Sequence, residues 1–366
     1  MSNKTKFVSI IVPCRNEEKY IGKCLGSLLS QDYPKEKMEI LFIDGMSEDK
    51  TREIVKKYIK KYSFISNAKR EKQGPTKQVL IKLLDNFKKY TTSAFNLGIK
   101  EAKGEIIMFL GAHAGYERDY ISKCVRYLKE CGADNVGGVI QTLPSRNTLC
   151  AKAIALSLSH PFGVGGSYFR TMGGNKVLPS ETRHGSYFRT GVKEPKEVDT
   201  VFGGCYKKEV FEKIGLFNEN LIRSQDIEFN LRLKRAGGKI LLVPDIVIYY
   251  YPKSNLKDFF FHNLKDGLWS IYPLKFVKIP FSFRHYIPLI FLLSLLITGL
   301  LGIFLPVFSP LFWLIIGLYL LLTFCFSIQI SLQEKDIRFL LFMPLAFTAR
   351  HIGYGLGSIW GLIKLI

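Results

Sequence analysis

The sequence is poor in several features that would each have pointed to a different class of protein. Its seven cysteines, at 14, 24, 124, 131, 150, 205 and 325, form no CxxC pair and no cluster of metal-ligating spacing, which excludes a disulfide framework and a cysteine-rich zinc module and fits free thiols in a reducing compartment. It has no Lys/Arg block of nucleic-acid type and no RNA-binding signature, so nucleic acid is not the expected partner. Acid is scarce: 31 Asp and Glu stand against 52 Lys and Arg, a net charge of +21, and that excess suits an anionic lipid surface or a phosphorylated ligand. The N-terminus, MSNKTKFVSIIVPCRNEE, offers only a short apolar run before charge returns, and reads as a first strand and not as a signal peptide.

Charge itself then runs out. Up to about residue 285 the chain is mixed and charged; Tyr286 to Phe308 carries none for 23 residues, and Ser309 to Ile330 again carries none. Each stretch is long enough to span about 30 Å of hydrocarbon, with Ser309-Pro310 expected as the turn between them. Phe339 to Ile366 is apolar but holds Arg350, His351, Gly353, Gly355 and Gly357, and reads as a third span or as a helix in the interface. Lys265, Lys275, Lys278 and Arg284 shortly before the first apolar run predict that this side is cytoplasmic. The expected organisation is a soluble domain over 1–252 with halves 1–115 and 116–252, a basic juxtamembrane segment over 253–285, and a multi-pass membrane region over 286–366 comprising 286–308, 309–330 and 339–366.

The soluble part alternates. Val8 to Val12, Glu39 to Ile43, Val79 to Leu84 and Glu105 to Leu110 read as buried strands; Glu17 to Ser30, Ser47 to Lys60 and Thr92 to Ala102 have helical patterning, with Ser47 as the expected N-cap. Lys60 to Lys77 looks like an inserted loop. This alternation predicts an α/β fold with a mostly parallel sheet covered on both faces. In such sheets ligands sit at the carboxyl ends of the strands, where Pro13 to Glu17, Asp44 to Asp49 and Gly111 to His113 fall. The hexapeptide Gly-Ser-Tyr-Phe-Arg-Thr occurs at 166–171 and again at 185–190 in a Gly-rich stretch, expected as a loop over a site.

Four stretches in order carry a resemblance: VSIIVPCRNEEKYIGKCLGSLLSQDYP, ILFIDGMSEDKT, TTSAFNLGIKEAKGEIIMFLGAHA, and VDTVFGGCYKKEVFEKIGLFNENLIRSQDIEFNLRLKRAGGKI. Together they resemble the nucleotide-diphospho-sugar transferases of glycosyltransferase family 2, and within them the membrane-bound succinoglycan-biosynthesis type. The resemblance covers roughly 7–270 and implies a Rossmann-like GT-A fold. It further implies an inverting sugar transfer from a nucleotide-sugar donor, UDP-linked, to a polyprenyl-linked acceptor in exopolysaccharide or envelope glycan synthesis.

What that implies for single residues follows. Pro13, Arg15, Glu17 and Asp44 would serve the donor nucleotide, with Gly111 and Ala112 beside its diphosphate. Gly111-Ala112-His113 occupies the family's Asp-x-Asp slot, so His113 is the candidate ligand of a divalent cation, Mn or Mg; imidazole suits Mn²⁺ better than Mg²⁺. The family's second acid after Asp44 is Gly45 here. Asp226 would be the catalytic base, with Glu228 orienting a basic neighbour. Gly203, Gly204, Arg223, Gln225, Lys265 and Trp269 are the candidate acceptor or diphosphate contacts, and the loop arginines Arg170 and Arg189 are further phosphate partners. His262 to Trp269 matches the family's Gln-x-x-Arg…Trp pattern poorly, which argues against a processive polymer synthase. Two other readings stay open: a polyprenyl-phosphate sugar synthase, whose ionised acceptor would need no base, and a non-catalytic nucleotide-sugar sensor or scaffold, suggested by Gly45 and Gly111.

Overall fold

The computed structural model describes residues 5–73, 78–171, 194–277 and 281–365, with the side chains of 63–73 left aside. The chain forms two compact units: residues 1–140 with 190–250, and residues 141–189 with 251–366.

The first unit is built on a mixed sheet. Its strands are β1 (Val8–Cys14), β2 (Met38–Asp44), β3 (Leu80–Asp85), β4 (Ile106–Phe109), β5 (Ala114–Tyr116), β6 (Asn135–Thr142), β7 (Lys196–Glu197), β8 (Phe202–Lys207) and β9 (Ile240–Tyr250). The order is β3-β2-β1-β4-β8-β6-β9-β5, with β7 on β9. The first four strands are parallel, as the alternation predicts; β8 enters antiparallel to β4 and to β6. Val8, Ile10, Val12, Ile40, Phe42, Ile106 and Met108 pack into one core. β1 and β2 are continuous apolar runs because both faces are covered. Glu39 and Asp44 are the exceptions on β2; Glu39 is fully buried, and its Oε1 accepts from Ser9 Oγ at 2.6 Å and from the Lys103 amide at 2.7 Å.

Two local expectations give way. The helix after β2 is Thr51–Gln73, so most of the supposed loop from Lys60 is helical: 60–73 contains no Gly or Pro and is rich in Lys, Arg, Glu, Gln and Ala, so it keeps good propensity without an apolar face. Ser47 does not cap that helix. Its hydroxyl donates to Asp44 at 2.5 Å, while Asp49 accepts from the Thr51 amide at 2.9 Å and takes the starting position.

The second unit is helical. Leu149–Ser157, Pro161–Val164 and Tyr168–Thr171 come from its first segment; Leu256–Ile271, Ile287–Phe304, Ser309–Glu334 and Phe339–Ile363 come from its second. Ile287–Phe304 and Pro306–Glu334 are long and apolar enough to cross a membrane, with 11% of each window buried. The turn between them is Leu305 to Phe308, not Ser309-Pro310; Pro310 lies in the first turn of its helix, where its missing N–H costs nothing. The first copy of the repeated hexapeptide includes the helical turn Tyr168–Thr171. The second copy with Arg189, as well as Lys278, lies outside the described residues.

Candidate active site

Three strand ends converge because β1, β2 and β4 are parallel neighbours. After β1 the chain turns through Asn16, at φ 55°, and after β2 through Met46, at φ 57°. The two turns are knitted together: Gly45 N–H donates to the Cys14 carbonyl at 2.8 Å, Asn16 N–H to Ser47 Oγ at 3.0 Å, Glu17 N–H to Thr51 Oγ1 at 2.7 Å and Glu18 N–H to Asp49 Oδ2 at 3.0 Å. Pro13, Arg15 and Glu17 are thereby fixed beside Asp44. Gly45 has a local reason: a Cβ there would stand 3.3 Å from Arg15 Cβ and from the Lys89 carbonyl.

Asp44 is fully buried. It accepts from Ser47 N–H at 3.0 Å and from Arg52 at 2.5 Å, and Arg52 continues to Asp85 at 2.7 Å. This Asp44-Arg52-Asp85 chain was not foreseen from the sequence. Its only signal is an arginine at the second residue of the helix that follows the motif. The two carboxylates raise the guanidinium above its ordinary value, so an ion network lies at the end of β2. Nearby Cys14 and Cys24 are buried, which raises both thiols, Cys24 to about 12; neither is a thiolate nucleophile.

At the end of β4, Gly111 and Ala112 place His113 at the rim. Gly111 N–H donates to the Tyr116 hydroxyl at 2.7 Å, and that hydroxyl donates to the Gly111 carbonyl at 3.2 Å. A Cβ on Gly111 would meet nothing nearer than 3.9 Å, so close packing does not demand glycine there. The His113 side chain is 45% exposed, and its Nδ1 is 3.4 Å from Glu17 Oε1. Its ring meets Tyr250 edge-on with centroids 6.1 Å apart. Among the described residues no group of three or more His, Cys, Asp or Glu is arranged to hold a metal. The imidazole and carboxylate of His113 and Glu17 make a two-donor set. Such a set fits a cation that draws its remaining ligands from a diphosphate and water.

Gly203 and Gly204 begin β8, beside the end of β4. Gly203 has φ 63°, and its carbonyl accepts from the Tyr120 hydroxyl at 3.0 Å. A Cβ on Gly204 would stand 2.4 Å from the Tyr206 ring. Both glycines therefore have a packing reason as well as lying at the site's edge.

Asp226 is the second residue of the helix Gln225–Arg235, which follows Ser224 at φ 59°. One turn further, Asn230 is buried in a polar network. Its Oδ1 accepts from Tyr206 at 2.9 Å and from Asn135 Nδ2 at 3.0 Å, and its Nδ2 donates to Thr200 at 2.9 Å. This network ties the helix to β6 and β8. Burial, then the charge of Asp226, push the Tyr206 phenol up, which puts Asp226 within electrostatic reach of that network. Glu228 does orient a basic neighbour: Arg232 is paired with it at 2.6 Å and donates to the carbonyls of Ile214 and Leu216. Gln225 Oε1 is buried without a hydrogen-bond partner among the described residues. Arg223 is half-buried at the helix start. Lys265 and Trp269 belong to the other unit, on the helix Leu256–Ile271, Lys265 exposed and Trp269 edge-on to Tyr272 at 5.5 Å.

The model of the family described as "Glycosyl transferase family 2" matches residues 9–214. A curated relative from Methanococcus voltae, a dolichyl N-acetyl-alpha-D-glucosaminyl phosphate 3-beta-D-2,3-diacetamido-2,3-dideoxy-beta-D-glucuronosyltransferase, is 31% identical over 98% of each chain. Succinoglycan biosynthesis protein ExoA of Rhizobium meliloti is 25% identical over 75% of this chain and 76% of its own. Among solved structures, the mannosyltransferase PcManGT from Pyrobaculum calidifontis, in complex with GDP-Man and Mn²⁺, superposes with a TM-score of 0.56 at 16% identity, covering 99% of this chain and 88% of that one; at that identity the likeness concerns the fold. Sequence, sheet order and strand-end site thus agree, and the chain belongs to glycosyl transferase family 2, a glycosyltransferase built on the GT-A fold.

Proposed function

We propose that this enzyme is a membrane-anchored, inverting glycosyltransferase that moves one sugar from a UDP-linked donor onto a polyprenyl-linked acceptor in envelope glycan or exopolysaccharide synthesis. The observation that carries the reading is the likeness to the Methanococcus voltae transferase over 98% of both chains. That extent takes in the apolar helices as well as the sheet, and the relative's printed name includes a dolichyl-phosphate-linked sugar. The two apolar helices suit a membrane hairpin, and the basic residues Lys265, Lys275 and Arg284 before it support a cytoplasmic catalytic unit. A lipid acceptor is confined to the interface, so tethering the catalytic unit there raises its effective concentration.

Pro13, Arg15, Glu17 and Asp44 frame the nucleoside, with Asp44 acting through a carboxylate already braced by Arg52. Gly111 leaves room for a Cβ beside the diphosphate, while Ala112 is buried in the core behind it. His113 and Glu17 would hold the divalent cation, which when bound supplies positive charge to the departing diphosphate. Asp226 takes the proton from the acceptor hydroxyl as that oxygen forms its bond to the anomeric carbon. The bond to the nucleoside diphosphate breaks on the opposite face, and the configuration inverts. The electron pair leaves with the diphosphate, and the proton stays on Asp226. Gly203, Gly204, Arg223 and Gln225 are the remaining contacts for acceptor or diphosphate within the sheet unit.

The test is transfer of radiolabelled sugar from UDP-sugars to extracted membrane lipids by purified protein in detergent, with Mn²⁺, Mg²⁺ or EDTA. Transfer that falls in EDTA and returns with Mn²⁺ supports the reading; full transfer in EDTA removes the cation from it. No transfer to any lipid fraction, with donor binding intact, removes the enzyme's proposed acceptor.

A further inference from the structure

The C-terminal helix Phe339–Ile363 has 25 residues, long enough to cross a bilayer. Its contacts argue that it does not. It runs beside the helix Leu256–Ile271 with the two backbones nearly touching. A Cβ on Gly353 would stand 2.9 Å from the Phe260 carbonyl, on Gly357 1.9 Å from that of Leu264, on Gly361 2.9 Å from that of Leu268, and on Gly267 1.9 Å from that of Tyr354. The contacts advance together, 260 with 353, 264 with 357 and 268 with 361, so the helices are parallel and level. Lys257, Asp258 and Lys265 on the partner helix are exposed, and Asp266 lies 3.4 Å from His262. Hydrocarbon around the C-terminal helix would also surround these charges.

Its level against the first apolar helix agrees. A Cβ on Gly355 would stand 2.6 Å from the Pro288 carbonyl and from Leu292, both in the first turns of Ile287–Phe304. Sixteen residues along, the C-terminal helix has therefore only reached the point where that helix begins. The eight residues from Gly355 to Ile363 add about 12 Å, well short of a hydrocarbon core of about 30 Å. The helix middle is tied at the same level to the four-residue helix Pro161–Val164: Arg350 donates to the Gly163 carbonyl, and to Asn263 Oδ1 at 2.6 Å, while His351 Nε2 is 2.8 Å from the Phe162 carbonyl.

We propose that Phe339–Ile363 and Leu256–Ile271 form a two-helix slab that enters the bilayer from the catalytic side without crossing it. The C-terminus then stays on the same side as the catalytic unit. This rests on the hairpin of the previous section. The face that meets lipid is the stripe Leu341, Leu345, Leu356, Trp360 and Ile363, all exposed. Lys364 marks its edge, 5.0 Å from the Trp360 ring and 5.8 Å from that of Tyr272, a grouping of aromatics and lysine suited to the membrane–water boundary. The slab carries the candidate contacts Lys265 and Trp269, so lipid binding would fix their depth at the bilayer.

Three full-length versions, each with one epitope, test this in sealed vesicles probed by protease and antibody. The epitopes are placed at the N-terminus, in the turn between Leu305 and Pro306, and at the C-terminus. The expected result is that the N- and C-terminal epitopes are accessible together and the turn epitope is on the other side. If the C-terminal epitope joins the turn epitope while the N-terminal one stays opposite, the last helix crosses and the slab is overturned with the hairpin intact. If the turn epitope lies with the N-terminal one, the hairpin itself fails, and the slab with it.

Discussion

In the sheet unit, Val8, Ile10 and Val12 of one strand meet Ile40 and Phe42 of the next, and large branched side chains fill the space between layers. In the helical unit, the longest shared seam is lined by Gly267, Gly353, Gly357 and Gly361, where the near absence of side chains brings carbonyls within contact. The difference follows from what stands at the contact. Large apolar side chains contribute by leaving water, roughly 25 cal/mol per Å². Glycines bury little side-chain area and instead let two backbones approach, so the seam depends on close van der Waals contact. The sheet unit does use glycine, but at isolated crossings: a Cβ on Gly138 would stand 2.2 Å from the Ile246 carbonyl.

The sharpest separation of the two units is chemical. Asp226→Asn is expected to lower kcat by about 10²–10⁴ while the protein still partitions with membranes and binds donor; sugar transfer and flotation with vesicles read the two separately. A variant retaining most activity would favour transfer to a lipid phosphate, which needs no base.

Packing comes next. The chain's three tryptophans, Trp269, Trp313 and Trp360, all lie in the helical unit, so their fluorescence reports on it alone. Gly357→Ala should lower the fluorescence-detected unfolding transition by about 1–3 kcal/mol, the usual cost of overpacking. Gly138→Ala should cost a similar amount by circular dichroism yet leave the tryptophan transition in place. Equal effects on both signals from either variant would mean the units unfold together.

Asn230→Ala probes the link between packing and chemistry inside the sheet unit. It strips the hydrogen-bond partner from Tyr206, Asn135 and Thr200, a loss of about 1–3 kcal/mol for buried polar groups. Because Asp226 is one turn away, kcat should fall with KM for the donor little changed; a fall in stability with kcat intact would make the network purely structural.

The smallest expected effect is on pH dependence. Burial raises the Glu117 carboxyl above its ordinary 4.5, only partly offset by the Tyr249 hydroxyl, which donates to it at 3.1 Å, and by Lys123. The folded state thus holds this proton more tightly than the unfolded chain. The contribution is complete below pH 4.5 and is lost as pH rises through the higher folded value. Glu117→Gln should flatten the difference in sheet-unit melting between acid and neutral pH; an unchanged slope would assign it to other groups.

Much of the sheet unit was legible because its signals are local. Continuous apolar runs announced β1, β2 and β4, and the motif residues fell at their ends. Where the reading slipped, at Ser47 and at Lys60, the competing outcome depended on a partner: Asp44 claimed the hydroxyl that was to cap a helix, and a polar run stayed helical without an apolar face to advertise it. Arg52 was missed because nothing at its own position distinguishes a pocket arginine from a solvated one. In the helical unit, composition marked the two apolar helices and the glycines of the last one, but not what those glycines touch.

The sequence by itself determined the strand and helix order of the first half, the family, and the apolar hairpin, since each is written in neighbouring residues through periodicity, motif order or run length. Tertiary structure alone decided that Glu17 meets His113, that Asp44 is braced by Arg52 and Asp85, and that residues 141–189 join the C-terminal helices. Apart from Asp44 and Arg52, eight positions apart, these pairings link residues from tens to almost two hundred positions apart, and only the folded path of the backbone sets which of the many possible partners comes within hydrogen-bond or contact range.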